Sequence, residues 1–292
     1  MWKSSLRIIY LPIFLFGFNA VAVSMIAADL PALLLAPLLL LAVAVSFLFE
    51  CLVPYADDWN RSHDDVGRDW LHAGVNEAAN VASVLALPAV SALVPWEGIW
   101  PHDWPLWGQL FLAIVVADFG ITMAHVFSHK VHRLWRFHAV HHSVKRMYGL
   151  NGLMKHPVHQ AIEMLAGTAA LVLAGLPQDV AFLLAFAIGI QLVLQHTNVD
   201  VRVGPLRHVL ALSIVHRFHH LKWPEEGDVN FGLFTTIWDR WLGTYHFEPT
   251  RAFSSDDLGI GAQPDYPSRY LAQLAAPFRS SAVTGTISDP TP

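Results

Sequence analysis

Long apolar segments separated by short polar turns fill much of the first two hundred residues. Residues 8–27 and 30–49 are near-continuous apolar runs, and residues 77–95 and 105–124 form a second pair. Each run is long enough to cross a hydrocarbon core of about 30 Å as a helix. The second pair is joined by PWEGIWPHDWP, whose aromatic side chains suit the headgroup region of a bilayer. The pattern predicts four membrane-spanning helices in two hairpins.

A fifth apolar region, residues 161–194, is divided near its middle by GLPQD. Its two arms are about 15 residues each, so the pattern agrees with either a tilted pair of spans or a re-entrant hairpin. Polar residues around Glu77 indicate that the third span faces protein rather than lipid. We therefore predict an all-α integral membrane protein with about four transmembrane helices, a short apolar hairpin and a cytosolic, histidine-rich helical cap.

The composition agrees with a membrane protein, since 54% of the residues are hydrophobic and only 14% are charged. The first apolar run exceeds the core of a cleaved signal peptide and a second run follows at once, so we expect a retained helix. The single Cys51 excludes an intramolecular disulfide. These features indicate a protein that stays in the bilayer.

Positive charge predicts the orientation of the chain. Ten of the 18 Lys and Arg residues lie between Lys130 and Lys222, and Lys3, Arg7 and Arg61 flank the first hairpin. The positive-inside rule places these segments in the cytoplasm. With four crossings before residue 125 and a hairpin after it, the histidine-rich segments return to one side. We expect an inner or plasma membrane protein whose active site faces the cytoplasm.

Histidine spacing is the main chemical feature of the chain. The motif HxxHH occurs twice, and HxxxH precedes the first copy: His138, His141 and His142; His216, His219 and His220; His125 and His129. Helical residues three and four apart share a face, so each HxxHH is expected to direct three imidazoles at one point. Eight nitrogen donors exceed the need of one tetrahedral zinc site and suit two adjacent metal ions. Histidines that only cover a water-facing helix are the simpler alternative, and two chance copies of the motif are rare at this composition.

Several other polar residues are candidates for the same site. His196 ends the last apolar arm and is expected at its rim as a ligand, and His156 precedes Pro157 at a helix start. His156 is a candidate ligand or hydrogen-bond donor to one. Asp118 lies two helical turns before His125 inside an apolar span. We expect its carboxylate to accept a hydrogen bond from a ligand imidazole, with a structural salt bridge as the alternative.

Further candidates lie in polar loops near the histidine motifs. Asp228 and Asn230 follow the second HxxHH, and Asn198 follows His196 in QHTN. We expect these side chains to orient metal-bound histidines or water. A plain turn followed by a packing helix explains the loop around residue 230 equally well.

These motifs together resemble the fatty acid hydroxylase/sterol desaturase superfamily of integral membrane di-iron enzymes. The resemblance rests on AHVFSHKVHRLWRFHAVHHS, KHP, QHTN, HRFHH, DVNFG and WDRWLGT, in this order. It covers about residues 105–250, which we assign as the catalytic domain. Residues 1–104 then form N-terminal transmembrane helices, and residues 251–292 a cytosolic tail whose last dozen residues are predicted to be disordered.

The resemblance implies two iron ions at the cytosolic face, with O2 as co-substrate and a lipid C–H bond as the target. Its implied ligands are His125, His129, His138, His141, His142, His196, His216, His219 and His220, with His156 less firmly matched. After His-Pro the family often has an acidic residue, whereas this chain has His159. His159 is therefore expected to contact a ligand, and the subfamily stays open.

Three functions agree with the residues. The first is an O2-dependent di-iron hydroxylase or desaturase of a sterol, fatty-acyl or related lipid, and the second is an ether-lipid or carotenoid-type monooxygenase. The third is a non-redox zinc hydrolase or membrane metal-binding protein. The histidines lie at span ends rather than mid-membrane, which disfavours transport, and exceed what a zinc hydrolase needs.

The oxygenase interpretation requires electrons from outside the chain. The sequence contains no GxGxxG, no CxxCH and no cysteine cluster. We therefore expect a separate electron donor, a ferredoxin, cytochrome or reductase, together with a membrane lipid substrate. No nucleic-acid partner is expected.

Overall fold

The computed structural model describes residues 2–96 and 98–279, and in these residues the regular structure is helical. Six helices are long and apolar enough to cross a membrane: α1 (Trp2–Ala27), α2 (Ala32–Leu52), α3 (Val66–Ser91), α4 (Leu106–Lys130), α6 (Pro157–Ala174) and α7 (Gln178–His196). The described part also contains five short α-helices, α5 (His132–His142), α8 (Ser213–His219), α9 (Pro224–Gly227), α10 (Ile237–Leu242) and α11 (Tyr270–Ala275), together with short 3-10 helices such as Gly149–Leu153. The predicted all-α membrane fold is confirmed.

The first hairpin is held by an aromatic ladder. Pro12 lacks an amide hydrogen, and a wider π-helical segment follows it within α1. The Tyr10 and Phe14 ring centroids are 4.4 Å apart, and those of Tyr10 and Phe49 are 5.2 Å apart. Tyr10 also meets Ser46 at 2.8 Å between hydroxyl oxygens, which ties α1 to α2.

Helix α7 is the centre of the bundle. In its most apolar window 83% of the residues are buried, against 17–50% for the other five long helices. The helix is apolar on all sides, which is typical of a core position. It packs against α2, α3, α4 and the 149–153 segment. The chain folds around this helix, whose last residue is His196.

Glycine allows α4 and α6 to approach closely. A Cβ atom on Gly120 would lie 2.0 Å from the Ala166 carbonyl oxygen, and one on Gly167 would lie 2.7 Å from Ile121 Cγ1. Helix α6 ends at Gly175 in the left-handed conformation (φ +92°), and α7 begins at Gln178. The two arms of this hairpin are therefore both of spanning length, 18 and 19 residues.

The third span begins at Val66, eleven positions before the predicted start, because polar residues on its first turns are buried against protein. His72 Nδ1 and Asn76 Nδ2 both lie 3.0 Å from the Lys155 carbonyl oxygen. The hydropathy pattern therefore underestimates the length of this helix, since these polar side chains contact protein rather than lipid.

The short helices form a cap over one end of the bundle, and residues 251–279 belong to it. Leu258 pairs with Leu221 in an isolated bridge. Gln273 donates to Ser143 Oγ at 3.0 Å, and its Oε1 lies 2.9 Å from His72 Nε2. The predicted disorder of the last dozen residues concerns positions outside the described part of the chain.

Candidate metal centre

Nine of the ten predicted ligands come together in two groups, and all nine side chains are buried. The five-histidine cluster is His125, His129, His138, His142 and His219, and the four-histidine cluster is His141, His196, His216 and His220. In each cluster one ring nitrogen per residue lies within 4.8 Å of all the others. The early and late motifs therefore meet at one end of the bundle, as the crossing parity requires.

Three helices build the five-histidine cluster. Helix α4 presents His125 and His129 one turn apart, α5 presents His138 and His142 one turn apart, and α8 contributes His219. The Nε2 atoms of His125 and His138, and of His138 and His142, are 3.0 Å apart, and those of His129 and His142 are 3.2 Å apart. The imidazoles thus converge through the nitrogen that lies farther from the backbone.

The four-histidine cluster lies against the first cluster and shares α5 and α8 with it. His196 ends α7, and the Nε2 atoms of His216 and His220 are 3.2 Å apart. The rings of His142 and His220, one from each cluster, are stacked with centroids 4.7 Å apart. The two groups are therefore neighbours, as a two-ion centre requires.

Each HxxHH triplet is divided between the clusters, so the expectation that three imidazoles meet at one point was wrong. His138 and His142 belong to one cluster and His141 to the other, and His219 is separated from His216 and His220 in the same way. Consecutive helical residues point about 100° apart. Adjacent histidines can therefore serve two different ions, one on each side of the helix.

Five of the nine rings are oriented by oxygen atoms at Nδ1. The pairs are His125 with Phe231 O (2.8 Å), His129 with Asp228 Oδ1 (2.8 Å), His219 with Val229 O (2.9 Å), His141 with Met154 O (2.9 Å) and His196 with Asn151 Oδ1 (3.0 Å). These oxygens only accept hydrogen bonds, so Nδ1 carries the proton. The Nε2 lone pair of each ring is then free to bind metal.

The donor set fits a transition-metal ion. In the five-histidine cluster, His125 and His129 carry their protons on Nδ1, so each has a lone pair on Nε2. These lone pairs face the Nε2 atoms of His138 and His142 at 3.0 and 3.2 Å. Two ligands at right angles on one ion, each about 2.1 Å from it, would be about 3.0 Å apart. His219 Nε2 and His196 Nε2 are buried and have no hydrogen-bond partner among the residues that the structure describes. A bound cation would satisfy these nitrogens, and imidazole suits iron, copper, zinc and nickel.

Burial keeps the cap histidines neutral. It lowers the pKa of His141 to about 3 and the pKa of His138, His142, His219 and His220 well below the ordinary value of 6.5. The neutral ring is the form that binds metal. Burial and the nearby Glu225 raise the pKa of Asp228 to about 6, so this carboxylate is mainly ionised at neutral pH and holds His129.

His156 does not join either cluster, which corrects its assignment as a ligand. Its Nδ1 accepts a hydrogen bond from the Val158 amide at 3.1 Å, and its Nε2 lies 3.3 Å from the Leu274 carbonyl oxygen. Both ring nitrogens are therefore used in capping α6 and in holding the C-terminal segment.

Asp118 contacts no histidine, so the expected bond to a ligand ring was wrong. Its carboxylate accepts from the Phe234 amide at 2.7 Å, from Thr235 Oγ1 at 2.7 Å and from Trp238 Nε1 at 3.0 Å. It acts one step away from the site, because it anchors the loop whose residue Phe231 orients His125.

Asn198 and Asn230 also differ from their expected roles, while Asp228 is hydrogen bonded to His129, one of the clustered histidines. Asn198 bonds the backbone of Ala56 and the side chain of Asn60. Asn230 has φ +54° and bonds the backbone of residues 215 and 246. Asn230 thereby fixes the loop in which the carbonyls on either side of it receive ligand rings.

His159 lies beside the five-histidine cluster without hydrogen bonding to it. Its ring centroid is 4.3 Å from that of His138, and its Nε2 lies 3.0 Å from Ser128 Oγ. Its Nδ1 lies 3.9 Å from Glu163 Oε1. His159 therefore contacts His138 by ring packing and not by a hydrogen bond.

Two positioning groups were missed by the sequence analysis. Asn151 orients His196, and nothing in its sequence context marks it. Glu50 accepts from Ser46 Oγ, Thr197 Oγ1 and the Gly149 amide, and so ties α2 to the segments that carry His196 and its partner. An acidic residue at the end of an apolar run was the available signal for Glu50.

A largely apolar cavity of about 620 Å³ lies between α3, α6 and α7. Its walls include Val90 and Leu176 toward one end of the bundle, and Lys155, Glu163 and Leu233 near the histidines. This volume is in the range of small-molecule sites in proteins. The cavity is a candidate site for an apolar chain beside the metal centre.

Comparison with known proteins identifies the family. The fatty acid hydroxylase family model matches residues 110–244. The chain is 37% identical to ornithine lipid hydroxylase OlsE from Rhizobium tropici over 245 residues, which is 81% of this chain and 73% of that protein. The chain belongs to the fatty acid hydroxylase family, which confirms the resemblance derived from the motifs.

Alkylglycerol monooxygenases are also similar over part of the chain. The zebrafish (Danio rerio) protein is 31% identical over 152 residues, or 52% of this chain and 32% of that protein, and the human protein is 30% identical over 155 residues. The chain thus spans about a third of these longer relatives. No solved structure matches the chain.

Proposed function

We propose that this protein is an O2-dependent lipid hydroxylase with two iron ions in its histidine clusters. The single observation that carries the proposal is the pair of adjacent, imidazole-only clusters. An apolar cavity in the same bundle supports it, and its wall residue Glu163 lies 3.9 Å from His159. Family membership supports it, because the matched relatives are named as a lipid hydroxylase and monooxygenases.

The bound iron would supply the one-electron redox chemistry by which O2 is reduced and a C–H bond is oxidised. The balance is one C–H bond, one O2, two electrons and two protons converted into one alcohol and one water. The electrons come from a separate donor protein, since the chain has no flavin, haem or iron–sulfur motif.

The chain itself contributes positioning and the exclusion of water. Carbonyl and carboxylate oxygens hold five imidazoles by their Nδ1 protons, so that Nε2 points into the clusters. The apolar cavity would hold the lipid beside the centre and keep bulk water away from it. In our proposal the clusters lie on the cytoplasmic side of the membrane. The segments that carry the clustered histidines are rich in Lys and Arg, and the positive-inside rule places such segments in the cytoplasm.

The proposed substrate is an ornithine lipid or a lipid with a related head. The similarity to the ornithine lipid hydroxylase covers 81% of this chain, whereas the similarity to alkylglycerol monooxygenases covers about half. An ether lipid is therefore the second candidate.

Lipid mass spectrometry under 18O2 tests the proposal. Membranes of a host with the wild-type gene should contain a lipid that carries one 18O atom, and membranes of a host without the gene should lack it. A new double bond without 18O would indicate a desaturase. Turnover without O2 by a zinc-loaded protein would contradict the oxygenase proposal and favour hydrolysis.

A further inference from the structure

Two cavities share a polar junction inside the bundle. The cavity of about 620 Å³ and a second cavity of about 220 Å³, between α2, α3 and α7, have Asn80, Val84 and Ala185 as common wall residues. Most other wall residues of both cavities are apolar. Asn80 thus marks the place where the two apolar spaces meet.

Charged side chains line both cavities. Lys155 and Glu163 line the larger cavity, are both buried, and form an ion pair with each other. Glu77 lines the smaller cavity, one helical turn before Asn80. The walls therefore carry one ammonium group and two carboxylates.

Glu77 has one side-chain hydrogen-bond partner. Its Oε1 accepts a hydrogen bond from Asn80 Nδ2 at 3.3 Å, and Gln160 Nε2 donates to Asn80 Oδ1 at 3.0 Å. Within the described residues Glu77 forms no ion pair, while the ammonium of Lys155 is bound to Glu163. The carboxyl group of Glu77 is therefore left without a salt-bridge partner in that part of the chain.

A carboxylate in a membrane-spanning helix is costly unless it meets a positive charge, and such residues commonly mark binding sites. The carboxyl group of Glu77, which has no salt-bridge partner among the described residues, and the adjoining apolar space together define a complementary ligand. Such a ligand has an ammonium group at one end and an alkyl chain attached to it.

The geometry points to a head-group site in which Glu77 is the counter-ion of a lipid ammonium group. Asn80 and Gln160 hold the polar head, and the larger cavity takes an acyl chain. This inference rests on the proposed function, since it assigns the recognition of that lipid. The larger cavity extends toward the histidine clusters, because its wall residue Glu163 lies 3.9 Å from His159, whose ring contacts His138.

Glu77→Gln tests the assignment, because it removes the charge and keeps the shape. We would compare ornithine lipid with its Nδ-acetylated derivative, which has the same acyl chains and the same carboxylate but no ammonium group. Full-length protein loaded with iron should prefer the lipid with the ammonium group. In Glu77→Gln, KM for the lipid with the ammonium group should rise by about tenfold or more with kcat unchanged, and KM for the acetylated lipid should not rise.

Binding is measured independently of turnover by native mass spectrometry of metal-free protein with each lipid. Glu248→Gln, the same change at an exposed position outside the cavities, is the matched control and should behave as wild type. Glu77→Asp keeps the charge and should keep the preference. Metal content should be equal in all variants.

The possible results separate the two proposals. Equal losses for both lipids in Glu77→Gln, or no change, would overturn the head-group site, and so would equal binding of both lipids by the wild type. If the wild type binds the lipid with the ammonium group preferentially but oxidises neither, the head-group site stands and the proposed function fails. If Glu77→Gln does not insert in the membrane, two other results decide whether the head-group site exists. These are the preference of the wild type for ornithine lipid over the acetylated lipid, and the retention of that preference by Glu77→Asp.

Discussion

The two histidine clusters are built from the same residue type but are held differently. The five-histidine cluster is oriented by two loop carbonyls and the carboxylate of Asp228, whose side chain is 45% exposed. The four-histidine cluster is oriented by the Met154 carbonyl and the amide of Asn151, both fully buried. A small cavity of about 20 Å³ lies against His129, His142 and Asp228.

The difference indicates how each cluster controls its metal. An anionic partner makes an imidazole a stronger donor than a neutral amide does. The five-histidine cluster has more donors and the carboxylate, so it should bind metal more tightly. The four-histidine cluster depends on packing, because Glu50 joins the first hairpin to the segments that carry His196 and Asn151.

Removal of one ligand from each cluster has the largest expected effect. His219→Ala and His141→Ala should each reduce turnover below about one-hundredth of the wild type and lower the metal content from two ions per chain toward one. Elemental analysis and product formation check this result. Retained turnover by both variants, with two ions bound, would contradict the assignment of these histidines as ligands.

Acid should destabilise both clusters together in the metal-free protein. Burial holds the pKa of His141 near 3, whereas an unfolded histidine titrates near 6.5. As the pH falls below 6.5 the unfolded chain binds protons that the folded chain does not, so the free energy of unfolding falls until about pH 3. His141 alone should cost about 2 kcal/mol at pH 5.

Thermal unfolding of metal-free protein in detergent at pH 8, 7, 6 and 5 measures this loss. Metal-loaded protein is the comparison: it should unfold at a higher temperature at each pH and should also lose stability as the pH falls, because metal binds only the neutral rings. An unfolding temperature that does not change between pH 8 and pH 5 would show that the rings are not buried in their neutral form.

Asp228→Asn should weaken only the five-histidine cluster. The change keeps the shape and the oxygen that faces His129 but removes the charge, and such outer partners commonly contribute 10–100-fold to metal affinity. Metal titration should show one weakened and one unchanged site. Two equally weakened sites would remove the distinction between the clusters.

Asn151→Ala is the matched test of the four-histidine cluster, with the smallest expected effect. Loss of the neutral acceptor for His196 Nδ1 should lower the affinity of that site by about tenfold. Asn198→Ala is the control, because among the described residues the Asn198 side chain bonds only residues 56 and 60, and its loss should leave metal affinity unchanged. Equal effects of the two variants would show that only folding is disturbed.

Much of the site was predictable because local spacing carries the information. The motifs identified all nine clustered histidines, and Asp228, which was expected to orient a histidine or water, is hydrogen bonded to His129. The partner of His196 was not predictable, since Asn151 lies 45 residues away with no motif around it. Backbone carbonyls such as Met154 O carry no sequence signal at all, because every residue has one.

Apolar segment length and histidine spacing by themselves determined that the chain is a helical membrane protein with a metal-binding centre. Both are local properties, set by the rise of a helix and by its residues per turn. Only the tertiary structure decided that His141 and His142 serve different clusters, and that Asp118 and Asn198 hold loops rather than ligands. These outcomes depend on which distant segments pack against each face of a helix, and no local sequence pattern shows which segments those are.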